Sequence, residues 1–384
     1  LKIDWSDEKF VRTGYRLYSS SNGVNFGSPL NLAANVQSYT DTGLTPGAKR
    51  YYKVSVIGTG GESKASRIYG AQAGGSPRVL VVDGDDRWQF QTAENPNCTN
   101  HGFCAIAGQN ISGVVFDTAS HNAVIDGTVP LANYPAVVWL LGEESTADET
   151  FSSVEQSLVT SYLSGGGNLF VSGSEIGWDL DRPSGPTASD RDFYHNQLRA
   201  AYFNDDANTY AFTPAPGGIF VGNPASGFDN GTHGTYNVDF PDVLTPTSGS
   251  VPAISYVGGI GGTAAVQYDG SLGGGKIVNF GFPFETITNA AVRDAYMSDV
   301  LRFFGVLPAP ELRQPLLNLA GGTITLNWTA SAGLTYRVQY KTNLSDSVWQ
   351  TVGADVTATN TTAFKVDTGL LGIPQRFYRV VLVN

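Results

Sequence analysis

One set of landmarks occurs twice, once near each end of the chain, and this duplication limits the architecture more than any other feature. Asp41-Thr42-Gly43-Leu44 is followed by Tyr52-Lys53-Val54, and Asp367-Thr368-Gly369-Leu370 by Tyr378-Arg379-Val380, with eleven positions from Asp to Tyr in both. Upstream of each lies a Trp-bearing segment, LKIDW ending at Trp5 and ITLNW ending at Trp328, and then a Tyr-Arg pair, Tyr15-Arg16 and Tyr336-Arg337. Two related β-domains therefore bracket a different middle. The first copy begins almost on its Trp strand, so the chain reads as a fragment of a longer, modular exported protein.

A length of 384 residues accommodates roughly two to four domains with a large core in at least one. Only 15% of residues are charged while Gly, Ser, Thr and Asn abound, so neutral polar groups must cover the surface, which suits an extracellular setting. A net charge of −11 without a Lys/Arg cluster argues against nucleic acid and anionic membranes as partners, since both need a basic footprint. No apolar run approaches the about eighteen residues that span a bilayer. The two cysteines, Cys98 and Cys104, stand six apart in NPNCTNHGFC and read as a disulfide closing a small loop. A metal site using both thiols and His101 would need a fourth ligand that the sequence does not supply.

Residues 1–73 alternate apolar and polar positions in short runs such as YRLYSS and YYKVSVIG, separated by the turn signals SNG, TPG and GTGGES. With the DTGLTPG turn ahead of Tyr52, this segment resembles fibronectin type III with its first strand missing. The resemblance implies a corner in which the Tyr ring packs on the turn and its hydroxyl satisfies nearby backbone. Residues 312–384 repeat the pattern and resemble the Ig or fibronectin-like domains that close many secreted bacterial proteins. For both, a spacer, stabiliser or surface-attachment role is the leading expectation. Sugar binding through Trp349 or Tyr340 is the alternative.

Between AQAGGSP and GVLPAPELRQP the pattern changes. The apolar runs RVLVV, GVVF, AVVWLL, NLFVS, AAVQY and KIVNFGF alternate with helical segments, which predicts an α/β domain over 77–306 with a mostly parallel sheet covered on both faces. Ala136 to Asp181 reads as one βαβ crossover. Its helix should be capped by Thr146 and Glu149, carry Phe151, Val154, Leu158 and Tyr162 on one face, and stop at Gly165-Gly166-Gly167. A closing helix is expected from Asn289 to Phe304. The strand, GEES loop, long helix, triple Gly and SGSEIGW turn resemble the flavodoxin-like, three-layer fold of class I glutamine amidotransferases. More narrowly, GEESTADETF, GGGNLFVSGSEIGWDLD, DFYHNQLRAAYFNDDAN and GFPFETI resemble a domain of secreted bacterial proteins labelled xanthan lyase-like or attached to N-acetylmuramoyl-L-alanine amidases. That resemblance implies fold and setting; the attached enzymes' activities belong to other domains.

Ligands of open α/β sheets bind beyond the carboxyl ends of the strands. There this chain places Asp83, Asp85 and Asp86, then Glu143 and Glu144, then Ser174 and Glu175, and finally Glu285, with Trp178 close by. Amidotransferase chemistry needs a Cys at the strand-to-helix elbow and a late His-x-Glu. Here the elbow holds Ser172, Gly173 and Ser174, and FGFPFET retains only Glu285, so glutamine amidotransfer is not expected. A serine hydrolase would pair Ser174 with His195 or His233, although the G-x-S-x-G pattern is not met. Glu144 and Glu175 are the candidate acid/base couple for glycoside cleavage, which requires roughly 5 to 10 Å between carboxyls; carboxylates at strand ends more commonly bind loop amides and helix N-termini. Asp179, Asp181, Asp205 and Asp206, with Asn208, are hard oxygen donors that suit a structural Ca²⁺, though none forms an EF-hand loop. No other cofactor is expected, and the glycine clusters follow helices or sit in loops rather than cradling phosphate.

These readings converge on a non-catalytic accessory or surface module of an exported bacterial protein, acting at a glycan, an envelope component, or further domains and subunits of its own assembly. A hydrolase of polysaccharide or peptidoglycan is the first alternative. A self-assembling surface-layer or filament subunit is the second.

Overall fold

The computed structural model describes residues 1–6, 11–87, 102–307, 310–318, 320–330, 334–360 and 362–383. The chain divides into two compact units, Leu1–Ile111 with Val115–Phe304, and Gly305–Asn384 with Ser112–Val114.

The first unit opens with two antiparallel sheets. In one, β1 (Lys2–Asp4) pairs with β4 (Ser38–Thr40); in the other, β3 (Leu30–Ala33), β2 (Arg12–Ser20) and β5 (Lys49–Gly58) lie side by side, and β6 (Gly61–Glu62) and β7 (Tyr69–Gln72) both pair with β5. Trp5 bridges the sheets by meeting Tyr15 edge-on at 5.5 Å between ring centroids. The second unit repeats the scheme. There β19 (Leu316–Asn318), β20 (Thr323–Thr329) and β24 (Thr362–Asp367) form one sheet. The other has β21 (Thr335–Lys341) at its centre, flanked by β22 (Gln350–Thr351), β23 (Val356–Thr357) and β25 (Phe377–Val383). Trp328 meets Tyr336 at 5.9 Å, as Trp5 meets Tyr15. Among the described residues the first copy has no equivalent of β19.

The eleven-residue spacing has a direct physical cause. Tyr52 donates its hydroxyl to Asp41 Oδ2 at 2.7 Å, and Tyr378 donates to Asp367 Oδ2 at 2.9 Å. The acceptor is the Asp side chain, not the backbone expected from the resemblance. Each Asp also meets an Arg two residues before the Tyr, Arg50 at 4.0 Å in the first copy and Arg376 in the second. The corner is thus a three-member unit, and in both copies the Arg belongs to it.

The middle of the first unit is built on a parallel run in the order β9 (Phe116–Ser120), β8 (Val79–Asp83), β10 (Ala136–Gly142), β11 (Asn168–Gly173), β18 (Ile277–Phe280). All residues of β8, β10 and β18 are buried, which is why these segments read as near-continuous apolar runs. Leu80, Val137, Trp139, Leu169 and Val171 face one core together with Val124 of α2 (His121–Ile125) and Val159 and Leu163 of α3 (Ser153–Ser164). On the opposite face Phe170 meets Phe280 at 4.8 Å. Phe280 in turn meets Phe220, on which Tyr296 of α6 (Ala290–Phe303) stacks at 4.3 Å. Two short helices, α4 (Ile176–Asp181) and α5 (Ala188–Asn196), follow β11, and α1 (Phe103–Asn110) precedes β9; α6 spans Ala290–Phe303 with Asn289 as its N-cap.

Two expectations change. The sheet is mixed rather than mostly parallel: beyond β18 it continues antiparallel through β17 (Thr263–Tyr268), β16 (Val251–Tyr256), β13 (Ala211–Pro214) and β14 (Ser226–Gly227), while β15 (Val243–Pro246) pairs with β17 and β12 (Ala200–Asn204) with β15. AAVQY therefore belongs to a hairpin-type extension and not to a crossover. The capping box of α3 is formed by Ser152 and Glu155, not by Thr146 and Glu149; Glu149 instead adopts φ 64° in the preceding loop.

Tyr52→Phe and Tyr378→Phe each remove one hydrogen bond to a carboxylate while keeping the ring. Each should cost about 1–2 kcal/mol in its own domain, read as a lowered denaturation midpoint with an unchanged far-ultraviolet spectrum. Midpoints equal to the parent's would show that the corner does not hold the domain.

Candidate functional site

The carboxyl ends of the parallel strands do gather the expected carboxylates, and the chain itself occupies every one that was singled out. Asp83 closes β8, where Tyr69 donates its hydroxyl at 2.9 Å and Arg67 lies at 3.0 Å. Both partners come from the N-terminal β-domain: Tyr69 opens β7 and Arg67 precedes it. Arg67 also reaches Asp86 at 2.8 Å. Asp86 Oδ2 lies 3.3 Å from His121, whose other ring nitrogen is 2.9 Å from Glu155. Burial works against a charge on His121, but the bonds to Asp86 and Glu155 outweigh it and lift the ring to about 9. The His121 bond, together with Arg67, brings Asp86 down to about 2.

The glutamates are bound to loop amides. Glu144, 2% exposed, accepts the Asp86 amide at 2.7 Å, and Glu143 accepts the Asp239 amide at 2.7 Å. Burial pushes Glu144 up to about 11, with Asp85, Asp86 and Glu155 adding to the effect against the amide bond. It is a neutral acid at pH 7. Asp85 accepts the Arg87 amide at 3.0 Å, and Arg87 goes on to the Glu143 carbonyl and Asp148. Glu175, 9% exposed, is raised by burial, partly offset by a hydrogen bond with Ser145. Glu285 is fully buried, accepts the Tyr236 hydroxyl at 2.5 Å and is raised to about 7 by burial. Among the described residues its second oxygen has no hydrogen-bond partner.

The elbow after β11 is also filled. Asp242, just before β15, accepts the amides of Gly177 at 2.6 Å and Trp178 at 3.1 Å, the first turn of α4. A helix N-terminus is a natural anion position, and here a side chain of the same chain holds it. Ser174 is 0% exposed and, among the described residues, its Oγ has no hydrogen-bond partner. The candidate bases are bonded elsewhere, His195 to Asp181 at 2.8 Å and His233 to Thr232 at 3.0 Å, so neither forms a Ser–His pair with it. Where the resemblance implies a late His, Phe282 stacks on Phe228 at 4.9 Å and Phe212 at 5.0 Å, and Phe284 meets Phe170. This turn is part of an aromatic core.

The carboxylates expected to hold calcium are not brought together. Asp179 accepts the amide and hydroxyl of Thr150 at 2.9 and 2.8 Å. Asp181 accepts from His195 and from the Tyr202 amide, and Asp206 accepts the Asn208 amide at 2.7 Å. Asp205 is raised by burial and by neighbouring Asp206. Among the described residues no group of three or more His, Cys, Asp or Glu is arranged to hold a metal ion. Trp178 is half-buried between Arg182 and Tyr202. In the second unit Arg379 and Lys341 lie over the Trp349 ring and Arg376 over Tyr340, so cations already cover these two candidate sugar platforms. Cys98, and with it the expected disulfide, lies outside the described residues, as does His101; Cys104 is buried in the first turn of α1.

No protein-family model matches the chain, and no curated protein does. Among solved structures, the FN1-FN3 domains of chicken CNTN1 align over 100% of this chain and 88% of theirs, at 10% identity and a TM-score of 0.16. A superposition of that quality carries no argument, and the β-domain assignments rest on strand pairing and the duplicated corner.

Glu285 yields a pH test. The folded chain holds its proton up to about 7, whereas an ordinary Glu releases it near 4.5. Between those values the folded state binds more protons than the unfolded one, so the contribution is complete below pH 4.5 and lost as pH rises through 7. Glu285→Gln should flatten the fall of the urea midpoint between pH 4.5 and 7. Parallel profiles for variant and parent would contradict a buried, protonated Glu285.

Proposed function

We propose that this chain is a non-catalytic accessory or surface module of an exported bacterial protein, with a fibronectin type III-like domain, an amidotransferase-like α/β domain of flavodoxin-like fold and an Ig/fibronectin-like domain. The observation that carries this reading is that the place where such a sheet would hold substrate is filled from within: Arg67 and Tyr69 at the first strand, Asp242 at the elbow, and stacked phenylalanines at the last strand. A Glu144 buried against the Asp86 amide and a Ser174 without a histidine partner support neither hydrolase alternative.

Its work is then to bind or position, at a glycan, at the envelope or against another part of its assembly. Two exposed rings suited to stack on a sugar lie close together in the first unit. Phe203 is 66% and Phe240 49% exposed. They flank loops joined by the bond from the Ala207 amide to the Pro241 carbonyl, with Asp205, Asp206 and Asn208 alongside as hydroxyl acceptors. Phe240 adopts φ 49°, a conformation costly for a bulky residue and maintained here by the surrounding loops.

Incubated with soluble polysaccharides and with peptidoglycan, the chain should release no reducing ends or dye. In affinity electrophoresis it should be retarded by a bound polysaccharide, and Phe240→Ala should lose the retardation. Turnover that disappears in Glu175→Gln or Ser174→Ala, with the fold intact, would replace this reading with the hydrolase.

A further inference from the structure

A cavity of about 310 Å³ opens at the other end of the parallel strands, away from the carboxylates. It is lined by Leu163 and Ser164 at the end of α3, Gln197 and Arg199 between α5 and β12, and the Gly273–Gly275 turn leading into β18. Nothing in the reading above uses it.

Arg199 gives the cavity its character. Its backbone adopts φ 60°, which is uncommon for a long side chain. The conformation is secured by two bonds to its carbonyl, from Ser250 Oγ at 2.6 Å and from the Thr247 amide at 3.3 Å. The guanidinium lies 4.1 Å over the centre of the Tyr268 ring, and Nη1 donates to the Ser248 carbonyl at 2.9 Å. Tyr268 is itself fixed, donating to the Gly273 carbonyl and accepting the Leu272 amide. The cation is therefore held in place before any ligand arrives. Arg16, Arg67, Arg87, Arg337 and Arg376 all pair with carboxylates. Among the described residues none pairs with Arg199, in a chain of net charge −11.

The remaining lining has complementary chemistry. The side chains of Ser164 and Gln197 make no hydrogen bond among the described residues. A helix C-terminus normally brings negative character, but here the Ser161, Tyr162 and Leu163 carbonyls already accept the amides of Gly165, Gly167, and Gly166 with Gly275. Arg199 thus sets the sign of the cavity. A planar, fixed guanidinium selects carboxylate geometry, and a free amide and hydroxyl beside it select hydroxyl groups on the same molecule.

We propose that this cavity binds a small hydroxylated carboxylate, its carboxyl group on Arg199 and its hydroxyls on Gln197 and Ser164. The site is independent of whether the strand-end carboxylates are catalytic. Calorimetric titration of the full chain with D-glucuronate and with L-malate tests it, with D-glucose and acetate as probes lacking one half of the chemistry. At least one hydroxy acid should bind, with glucose roughly tenfold weaker or worse for loss of the charge-assisted pair and acetate weaker for loss of the hydroxyl hydrogen bonds. Binding of glucuronate alone would identify an acidic sugar as the ligand, and of malate alone an open-chain hydroxy acid. Arg199→Gln should abolish binding. If that variant does not fold, Gln197→Leu, which places an apolar group in the cavity, should weaken binding while the melting temperature holds. No heat with either acid, or undiminished binding by a folded Arg199→Gln or Gln197→Leu chain, overturns the proposal.

Discussion

The buried contact of Arg67 and Tyr69 with Asp83 is the interaction on which the first unit depends. Asp83 ends the strand in second position of the parallel run, where an uncompensated carboxylate would be expensive to bury. Its compensation is supplied by the N-terminal β-domain. The same domain binds the edge of the sheet, because Thr118 of β9 exchanges hydrogen bonds with both backbone groups of Gly70 in β7. It also caps α1, where Lys49 donates to the Gly108 and Gln109 carbonyls. A domain engaged at a strand end, a sheet edge and a helix terminus is a structural part of the mixed-sheet body rather than a spacer ahead of it.

That coupling also explains the closed strand ends. Arg67 reaches Asp86, Asp86 reaches His121 and Glu144, and His121 reaches Glu155, so removing one member leaves several buried groups unsatisfied. The network has little room to open for a substrate. The amino-end cavity lies outside it.

Much of the frame was legible from residues alone. The duplicated Asp-to-Tyr spacing predicted two related β-domains, and the apolar runs located β8, β10, β11 and β18, whereas the edge strand β9 begins only at the last residue of GVVF. The Arg two residues before each corner Tyr is equally visible in the sequence once the spacing is aligned. The antiparallel extension had a readable signal too: only residues 257–262 separate β16 from β17, too few for a crossover. The misplaced cap of α3 reflects a degenerate pattern, since Thr146 to Glu149 and Ser152 to Glu155 both fit, and the one adjoining the helical run forms. The state of the carboxylates was not legible. Asp242 is a single loop residue without periodicity, and Arg67 acts across a domain boundary, so neither partner has a local signature.

Hydrogen exchange at four amides addresses the closed site most directly. The amides of Asp86, Asp239, Gly177 and Trp178 are bonded to Glu144, Glu143 and Asp242. If the strand ends are permanently filled from within, these amides exchange as slowly as those of β10 and β11. Rapid exchange at all four while the strands stay protected would contradict the account, because it would mean that the site opens in the native protein.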